Sequence, residues 1–293
     1  MRSKTQSPFN VKLLLIGFFI VFLLLYVLRS SSSSNQQAPT AQPESSSKEE
    51  VSSSSTSSCP PPPSTPTCAN IPASLAQALI HYSTSNITPQ QTLREISVTS
   101  RILEKKSPCK FLVFGLGHDS LMWSALNHGG RTVFLEEDKA WIEQIKQRFS
   151  GLESYHVVYD TKVREADELM EVGQGEDCTA VGDPRFSKCR LALKGIPDEI
   201  FETEWDLIMV DAPTGYIDDA PGRMNAIYTA GLMARNREEG ETDVFVHDVD
   251  RVVEDKFSKA FLCEGYMREQ EGRLRHFTIP SHRANPGRPF CPP

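Results

Sequence analysis

The chain has 293 residues, with 38 acidic against 31 basic side chains for a net charge of -7, and seven cysteines. An overall negative protein gives no support to a nucleic-acid surface, and an acidic carbohydrate would have to be met by a few placed arginines rather than by a basic face. The length allows one sizeable globular domain after the N-terminal segments, and not comfortably two.

In chain order, residues 1–10 read as a short cytosolic tail. Residues 13–28 carry no charge, and Val11 extends the apolar run past Lys12. As a helix this run spans about 24 to 27 Å, slightly short for an average bilayer but usable in a thin membrane with Lys12 and Arg29 snorkelling. It is longer than the core of a cleaved signal peptide, and Arg29 and serines follow it instead of a small-residue cleavage pattern. Residues 11–28 are therefore expected to be a transmembrane signal anchor. Arg2, Lys4 and Lys12 precede the uncharged run 13–28 and only Arg29 follows closely, which sets a single-pass type II orientation with the rest of the chain in the lumen. Residues 29–69 are mostly serine, proline, glutamine and glutamate, a composition that cannot repay chain entropy by burial, and they are expected to form a disordered stem.

Residues 70–293 are then the lumenal domain. Helical patterns cover residues 73–81 and 88–104. Apolar strands are expected at 111–114, 132–135, 155–159, 205–210, 243–248 and 274–279. Helices are expected at 119–127, 138–149, 227–235 and 251–262, with a further helical stretch at 161–170 and a polar excursion at 173–190. The run WDLIMV is almost continuously apolar, as in a central parallel strand covered on both faces. The fold class that follows is α/β: a Rossmann-like, mostly parallel central sheet flanked by helices. The cysteines lack zinc-knuckle spacing; Cys178 and Cys189 are placed to staple the polar excursion, and the odd total leaves at least one thiol free or intermolecular. Asn86-Ile87-Thr88 is a glycosylation sequon, disfavoured by Pro89.

Five parallel strands put their carboxyl ends on one rim, where an open α/β sheet binds ligands. Gly115, Gly117, Glu136, Asp160, Asp211, His247 and Asp248 fall there. Gly115 and Gly117 let the chain turn sharply and approach a ligand, and Glu136 follows Gly117 by 19 residues, where a carboxylate can accept both hydroxyls of a ribose. Asp160 would accept from the adenine amino group. Asp119 stands where a dinucleotide site would set its third glycine against a pyrophosphate, so the turn suits S-adenosylmethionine, which has no phosphate and carries a cationic sulfonium, better than NAD. Asp211, with His247 and Asp248 on the neighbouring strand end, can orient a base against an acceptor hydroxyl or bind a hard divalent cation. Arg223 and Arg251 could pair with the carboxylate of an acidic sugar. Each has a structural alternative: a solvated charge run for Glu136, a turn or cap for Asp119, Asp160, Asp248 and Asp250, a satisfied core histidine for His247, and ordinary ion pairs for the arginines.

The strings FLVFGLGHDSLMWSALNHGGRTVFLEED, WDLIMVDAPTGY, APGRMNAIYTAGLMAR and DVFVHDVDR resemble the plant DUF579 family of polysaccharide methyltransferases, over roughly residues 70 to 285 and with the same tail, anchor and stem. The resemblance implies a class I S-adenosylmethionine-dependent methyltransferase held in the Golgi membrane. It would methylate the 4-hydroxyl of glucuronic acid side chains of glucuronoxylan, or another uronic-acid-bearing polysaccharide, beside xylan-synthesising enzymes during secondary wall formation. By analogy with metal-dependent catechol-type methyltransferases, whose aspartates follow the fourth and fifth strands, it implies Asp211 and Asp248 as metal ligands. The usual acidic residue before the glycine turn is replaced by Val113. A nicotinamide-dependent sugar oxidoreductase and a non-catalytic Golgi scaffold are the competing readings.

Overall fold

The computed structural model describes residues 71–292, so the tail, anchor and stem expected over residues 1–69 lie outside the described residues. Among the described residues no helix is long and apolar enough to cross a membrane.

Helices α1 (Ala73–Thr84) and α2 (Leu93–Lys106) come first. α2 starts five residues later than its periodicity suggests, because Thr92 and Glu95 form a reciprocal capping box that fixes its first turn. β1 (Lys110–Phe114), α3 (Ser120–Leu126), β2 (Arg131–Glu136), α4 (Lys139–Arg148) and β3 (Glu153–His156) follow as alternating strand and helix. The helical stretch expected at 161–170 is α5 (Ala166–Gly173); the polar excursion after it holds α6 (Glu176–Thr179) and is stapled by the Cys178–Cys189 disulfide expected from the spacing, and α7 (Asp198–Glu202) follows. Then come β4 (Leu207–Val210), α8 (Met224–Asn236), β5 (Glu241–Val246), α9 (Val252–Phe257) running into a wider π-helical segment (Ser258–Cys263), β6 (Met267–Glu271) and β7 (Leu274–Pro280). A second disulfide, Cys263–Cys291, pins the C-terminal segment, and Cys109 is buried and unpaired among the described residues.

The seven strands are ordered β3-β2-β1-β4-β5-β7-β6. β1 to β5 are parallel, while β7 runs antiparallel to β5 and β6 antiparallel to β7. The chain thus forms the mostly parallel, helix-flanked, Rossmann-like sheet of class I methyltransferase type, with an antiparallel edge hairpin that the sequence reading did not contain. Side chains alternate between two buried faces: Leu112, Phe114, Ile208 and Val210 pack on one side, and Phe111, Val113, Leu207 and Met209 on the other. α8 is buried from Met224 through Arg235, which explains its apolar residues on every side.

The register fixes the site. Phe114 is level with Leu135 and Val210, and Val210 with Val246. The residues that follow these, Gly115, Glu136, Asp211 and His247, therefore form one row at the carboxyl rim. Strand order reverses between β1 and β4, which opens a crevice beside Gly115 and Asp211.

Candidate active site

The glycine turn builds one wall. Gly115 has φ +122, and a Cβ there would lie 3.2 Å from the Ala212 Cβ, so glycine is what allows the ends of β1 and β4 to close together. The Leu116 N–H donates to Glu136 at 3.0 Å, the Asp138 N–H donates to the other Glu136 oxygen at 3.1 Å, and the Trp141 indole donates to the Leu116 carbonyl at 2.6 Å. Each carboxylate oxygen of Glu136 keeps a lone pair for a ligand hydroxyl. Burial first, and the neighbouring Glu137 charge next, push Glu136 up to about 7 against the pull of its two N–H donors.

Asp211 builds the opposite wall. Its Oδ1 accepts from His247 Nδ1 at 2.9 Å and its Oδ2 from Gln91 Nε2 at 3.0 Å, with Arg223 Nη2 3.3 Å from Oδ1. Burial pushes its carboxyl up, but the His247 hydrogen bond and the Arg223 charge outweigh this and hold it below the usual carboxylate range. His247 is fully buried and lies behind Asp211, with Nε2 3.8 Å from Glu95 Oε2. It is therefore a positioning residue and does not reach the crevice, contrary to the catalytic contact expected for it.

Between the walls lies a cleft of about 640 Å³, lined by Gly115, Leu116, Gly117, Asp119, Glu136, Trp141, Asp211, Asp248 and Arg251 among others. Asp119 turns its carboxylate to the Trp123 indole at 2.8 Å rather than capping α3, and burial together with the Asp211 charge pushes it up to about 6. An acidic cleft with a tryptophan and a close-packed glycine turn fits a cationic adenosine cofactor without phosphates. Asp119 lines the cleft just after the glycine turn, and a carboxylate there would repel a pyrophosphate, which disfavours a dinucleotide. Asp160 does not end a strand as expected: β3 stops at His156, and Asp160 is exposed and is not among the residues that line the cleft.

The expected metal pair is also corrected by its surroundings. One ligand atom each from Asp211, His247 and Asp248 lies within 4.8 Å of the others. Asp248, however, faces Arg223 and Arg251 at 2.8 Å and Arg273 at 2.6 Å. Three guanidiniums already engage both Asp248 oxygens and would repel a divalent cation, so these side chains as arranged do not fit one. Asp248 is instead the hub of an ion-pair cluster, held at φ 62, a left-handed conformation that aspartate tolerates better than most residues. Gln91, Glu95, Arg273 and Glu254 complete the site and were missed. The Thr92-x-x-Glu95 capping signature was the signal in the sequence for Glu95; Gln91 beside it and Glu254 one turn after Arg251 carry no pattern of their own, and Arg273 lies on the remote β6–β7 turn.

A family model described as IRX15/IRX15L/GXM matches residues 94–277. Glucuronoxylan 4-O-methyltransferase 1 of Arabidopsis thaliana is 75% identical over 230 residues, covering 77% of this chain and 82% of that protein. Arabinogalactan O-methyltransferase 2 of Arabidopsis thaliana is 49% identical over 243 residues, covering 77% of this chain and 83% of that protein. Among solved structures, a methyltransferase-like protein from Silicibacter pomeroyi aligns at 17% identity with a TM-score of 0.39, covering 68% of this chain and 92% of that one.

Proposed function

This chain belongs to the IRX15/IRX15L/GXM family, and on that premise we propose that it transfers the methyl group of S-adenosylmethionine to the 4-hydroxyl of glucuronic acid side chains of glucuronoxylan in plant cell wall biosynthesis. The observation that carries the acceptor is the 75% identity to a glucuronoxylan 4-O-methyltransferase over most of both chains. The cleft supplies the chemistry.

When bound, S-adenosylmethionine offers a methyl group already activated on a cationic sulfur, so that a C–O bond forms as the S–C electron pair stays on sulfur. The protein's task is alignment and proton removal. Glu136 accepts the ribose hydroxyls through the lone pairs left by Leu116 and Asp138. The Trp141 ring, held by the Leu116 carbonyl, offers an apolar face to the base. Asp119 places a carboxylate in the part of the cleft that suits the donor's positive charge. Asp211 accepts the hydrogen bond of the acceptor hydroxyl, orients its oxygen, and receives its proton as the ether forms. His247 and Gln91 fix the Asp211 carboxylate plane from behind.

The same reading sets the domain in the Golgi lumen, type II, on the anchor expected at residues 11–28, beside the enzymes that synthesise xylan. Two disulfides within the domain support an oxidising compartment.

Labelled methyl transfer from S-adenosylmethionine to unmethylated glucuronoxylan by the purified full-length chain, with NMR mapping of the product, tests the reaction. Label on the 4-oxygen of glucuronic acid is expected. A chain that binds S-adenosylhomocysteine but leaves this polymer unlabelled has another acceptor, and one that binds neither is the non-catalytic scaffold. Repeating the transfer after chelation, with and without added divalent cations, reads any metal requirement directly.

A further inference from the structure

Resting on the acceptor assignment above, we propose that Arg251 is the specificity-determining residue that reads the carboxylate of the uronic acid, with Tyr216 beside it as the surface on which the sugar ring lies. An anionic acceptor has little to attract it elsewhere, because Asp119, Glu136, Glu137, Asp211 and Asp248 all line the cleft. Two arginines, Arg223 and Arg251, line it as well.

Arg223 is spent. It is 4% exposed, with Nη1 donating to the His247 carbonyl at 2.8 Å, Nη2 to Asp248 at 2.8 Å and Nε to the Pro213 carbonyl at 3.3 Å. Arg251 is not. Its side chain is 30% exposed, Nη2 sits 2.8 Å from Asp248 Oδ2, and Nη1 is 3.8 Å from the nearest oxygen of Glu254, beyond hydrogen-bond reach. Glu254 is completely buried, and neither of its carboxylate oxygens has a hydrogen-bond partner. It holds Arg251 from the protein side by charge while Asp248 engages only Nη2, which leaves the Nη1 N–H groups for an incoming carboxylate. Burial pushes the Glu254 carboxyl up, which further weakens its claim on those donors.

The geometry also matches the acceptor. In glucuronic acid the 4-hydroxyl and the carboxylate sit on adjacent ring carbons, so the group that orients the hydroxyl and the group that holds the carboxylate must be near neighbours. Asp211 and Arg251 are linked through two residues, Arg223, whose Nη2 lies 3.3 Å from Asp211 and 2.8 Å from Asp248, and Asp248, whose Oδ2 lies 2.8 Å from Arg251. A Cβ on Gly215 would lie 3.6 Å from Arg251 Nη1 and 2.6 Å from Glu254 Oε1, so the loop backbone rests directly on this pair. The next residue, Tyr216, lines the same cleft and is 73% exposed, an aromatic face on the loop that meets Arg251, with no protein group covering most of it.

The test compares a glucuronic-acid-substituted xylo-oligosaccharide with its carboxyl-reduced counterpart, using the full-length chain and the Arg251→Gln, Arg251→Lys and Tyr216→Ala variants. The wild-type protein is expected to prefer the uronate in kcat/KM. Arg251→Gln should lower kcat/KM on the uronate about 10- to 100-fold, the range of lost charged hydrogen bonds. It should also collapse the preference towards unity while S-adenosylhomocysteine affinity stays unchanged, and Arg251→Lys should recover part of the preference. Tyr216→Ala, an exposed change that leaves the ion-pair cluster intact, should raise KM for both acceptors together. Retention of the wild-type preference in Arg251→Gln overturns the proposal, whatever happens to kcat. If Arg251→Gln does not fold, a wild-type protein that methylates both acceptors equally, or an unchanged KM in Tyr216→Ala, overturns it instead. A wild-type protein that binds the cofactor product and methylates neither removes the acceptor assignment itself, a distinct outcome.

Discussion

Asp211 meets the cleft with one carboxylate oxygen held by His247 and the other by Gln91, so its plane is set before any acceptor arrives. Asp211→Asn keeps the shape but cannot take a proton. It should lower kcat by about 10²- to 10⁴-fold while leaving S-adenosylhomocysteine affinity in place, read by single-turnover transfer and calorimetry. An activity near wild type would remove Asp211 from the chemistry. Glu136 gives a pH dependence with a definite sign. An acid raised from 4.5 unfolded to about 7 folded contributes its stability in full below the lower value and loses it as pH rises through the upper. The ligand-free protein should therefore lose thermal stability across that window. The same ionisation frees the carboxylate for ribose, so cofactor affinity should tighten as pH rises. The difference in melting temperature between wild type and Glu136→Gln isolates this group, and a difference that is flat with pH would contradict it. Gly115, Glu136 and Asp211 were legible because each ends an apolar strand, and strand ends converge on one rim. That His247 faces inward was not legible, since a one-residue step past β5 decides which side of the rim a side chain meets.

The turn between β6 and β7 wires the edge hairpin to the site. Arg273 donates its N–H to Glu95 at 2.7 Å and its guanidinium to Asp248 at 2.6 Å, while Glu95 caps α2 and flanks His247. Gly272, at φ +55, must be glycine here twice over, because a Cβ would also lie 2.7 Å from Glu95 Oε1. Gly272→Val should cost at least about 1–2 kcal/mol from the left-handed backbone alone, lowering the melting temperature by roughly 2 to 8 °C. It should also lower kcat, because Glu95 is displaced from beside His247. Thr92→Ala, which removes about 1 kcal/mol of capping but leaves Arg273 on Glu95, serves as the control with lowered melting and near-normal kcat. A Gly272→Val protein that melts lower but turns over normally would make the turn a purely structural element. β6 was not read because Met267–Glu271 is a polar edge strand with its middle three residues exposed, leaving no apolar alternation to see. The neighbouring β7 was found at nearly its observed bounds because six of its seven residues are buried.

Over the whole molecule, the cleft sits on the rim of the sheet while both disulfides lie away from its lining, so covalent bracing and chemistry are separable. Cys178–Cys189 was legible, since 11 residues of separation bracket one polar excursion; Cys263–Cys291, 28 apart, was not, because the whole β6–β7 hairpin intervenes and only tertiary packing brings the two together. That packing is specific. The Arg235 guanidinium lies 3.9 Å from the centre of the Phe290 ring and donates to the Phe290 carbonyl at 3.2 and 3.1 Å, so the C-terminal segment is held just before its cysteine. Closing a loop of this length restricts the unfolded chain by about 3 to 4 kcal/mol, which for a domain of this size corresponds to a fall of about 10 °C in melting temperature when the bond is lost. Cys263→Ser with Cys291→Ser should show that fall and keep its kcat at low temperature, since neither residue lines the cleft. The same chain directed to a reducing compartment should behave like the variant and accumulate poorly, whereas the oxidised protein should resist mild reductant until it is unfolded. Equal melting of the oxidised and reduced forms would show that packing around Arg235 and Phe290 holds the C-terminal segment alone, and would withdraw the domain's support for an oxidising compartment.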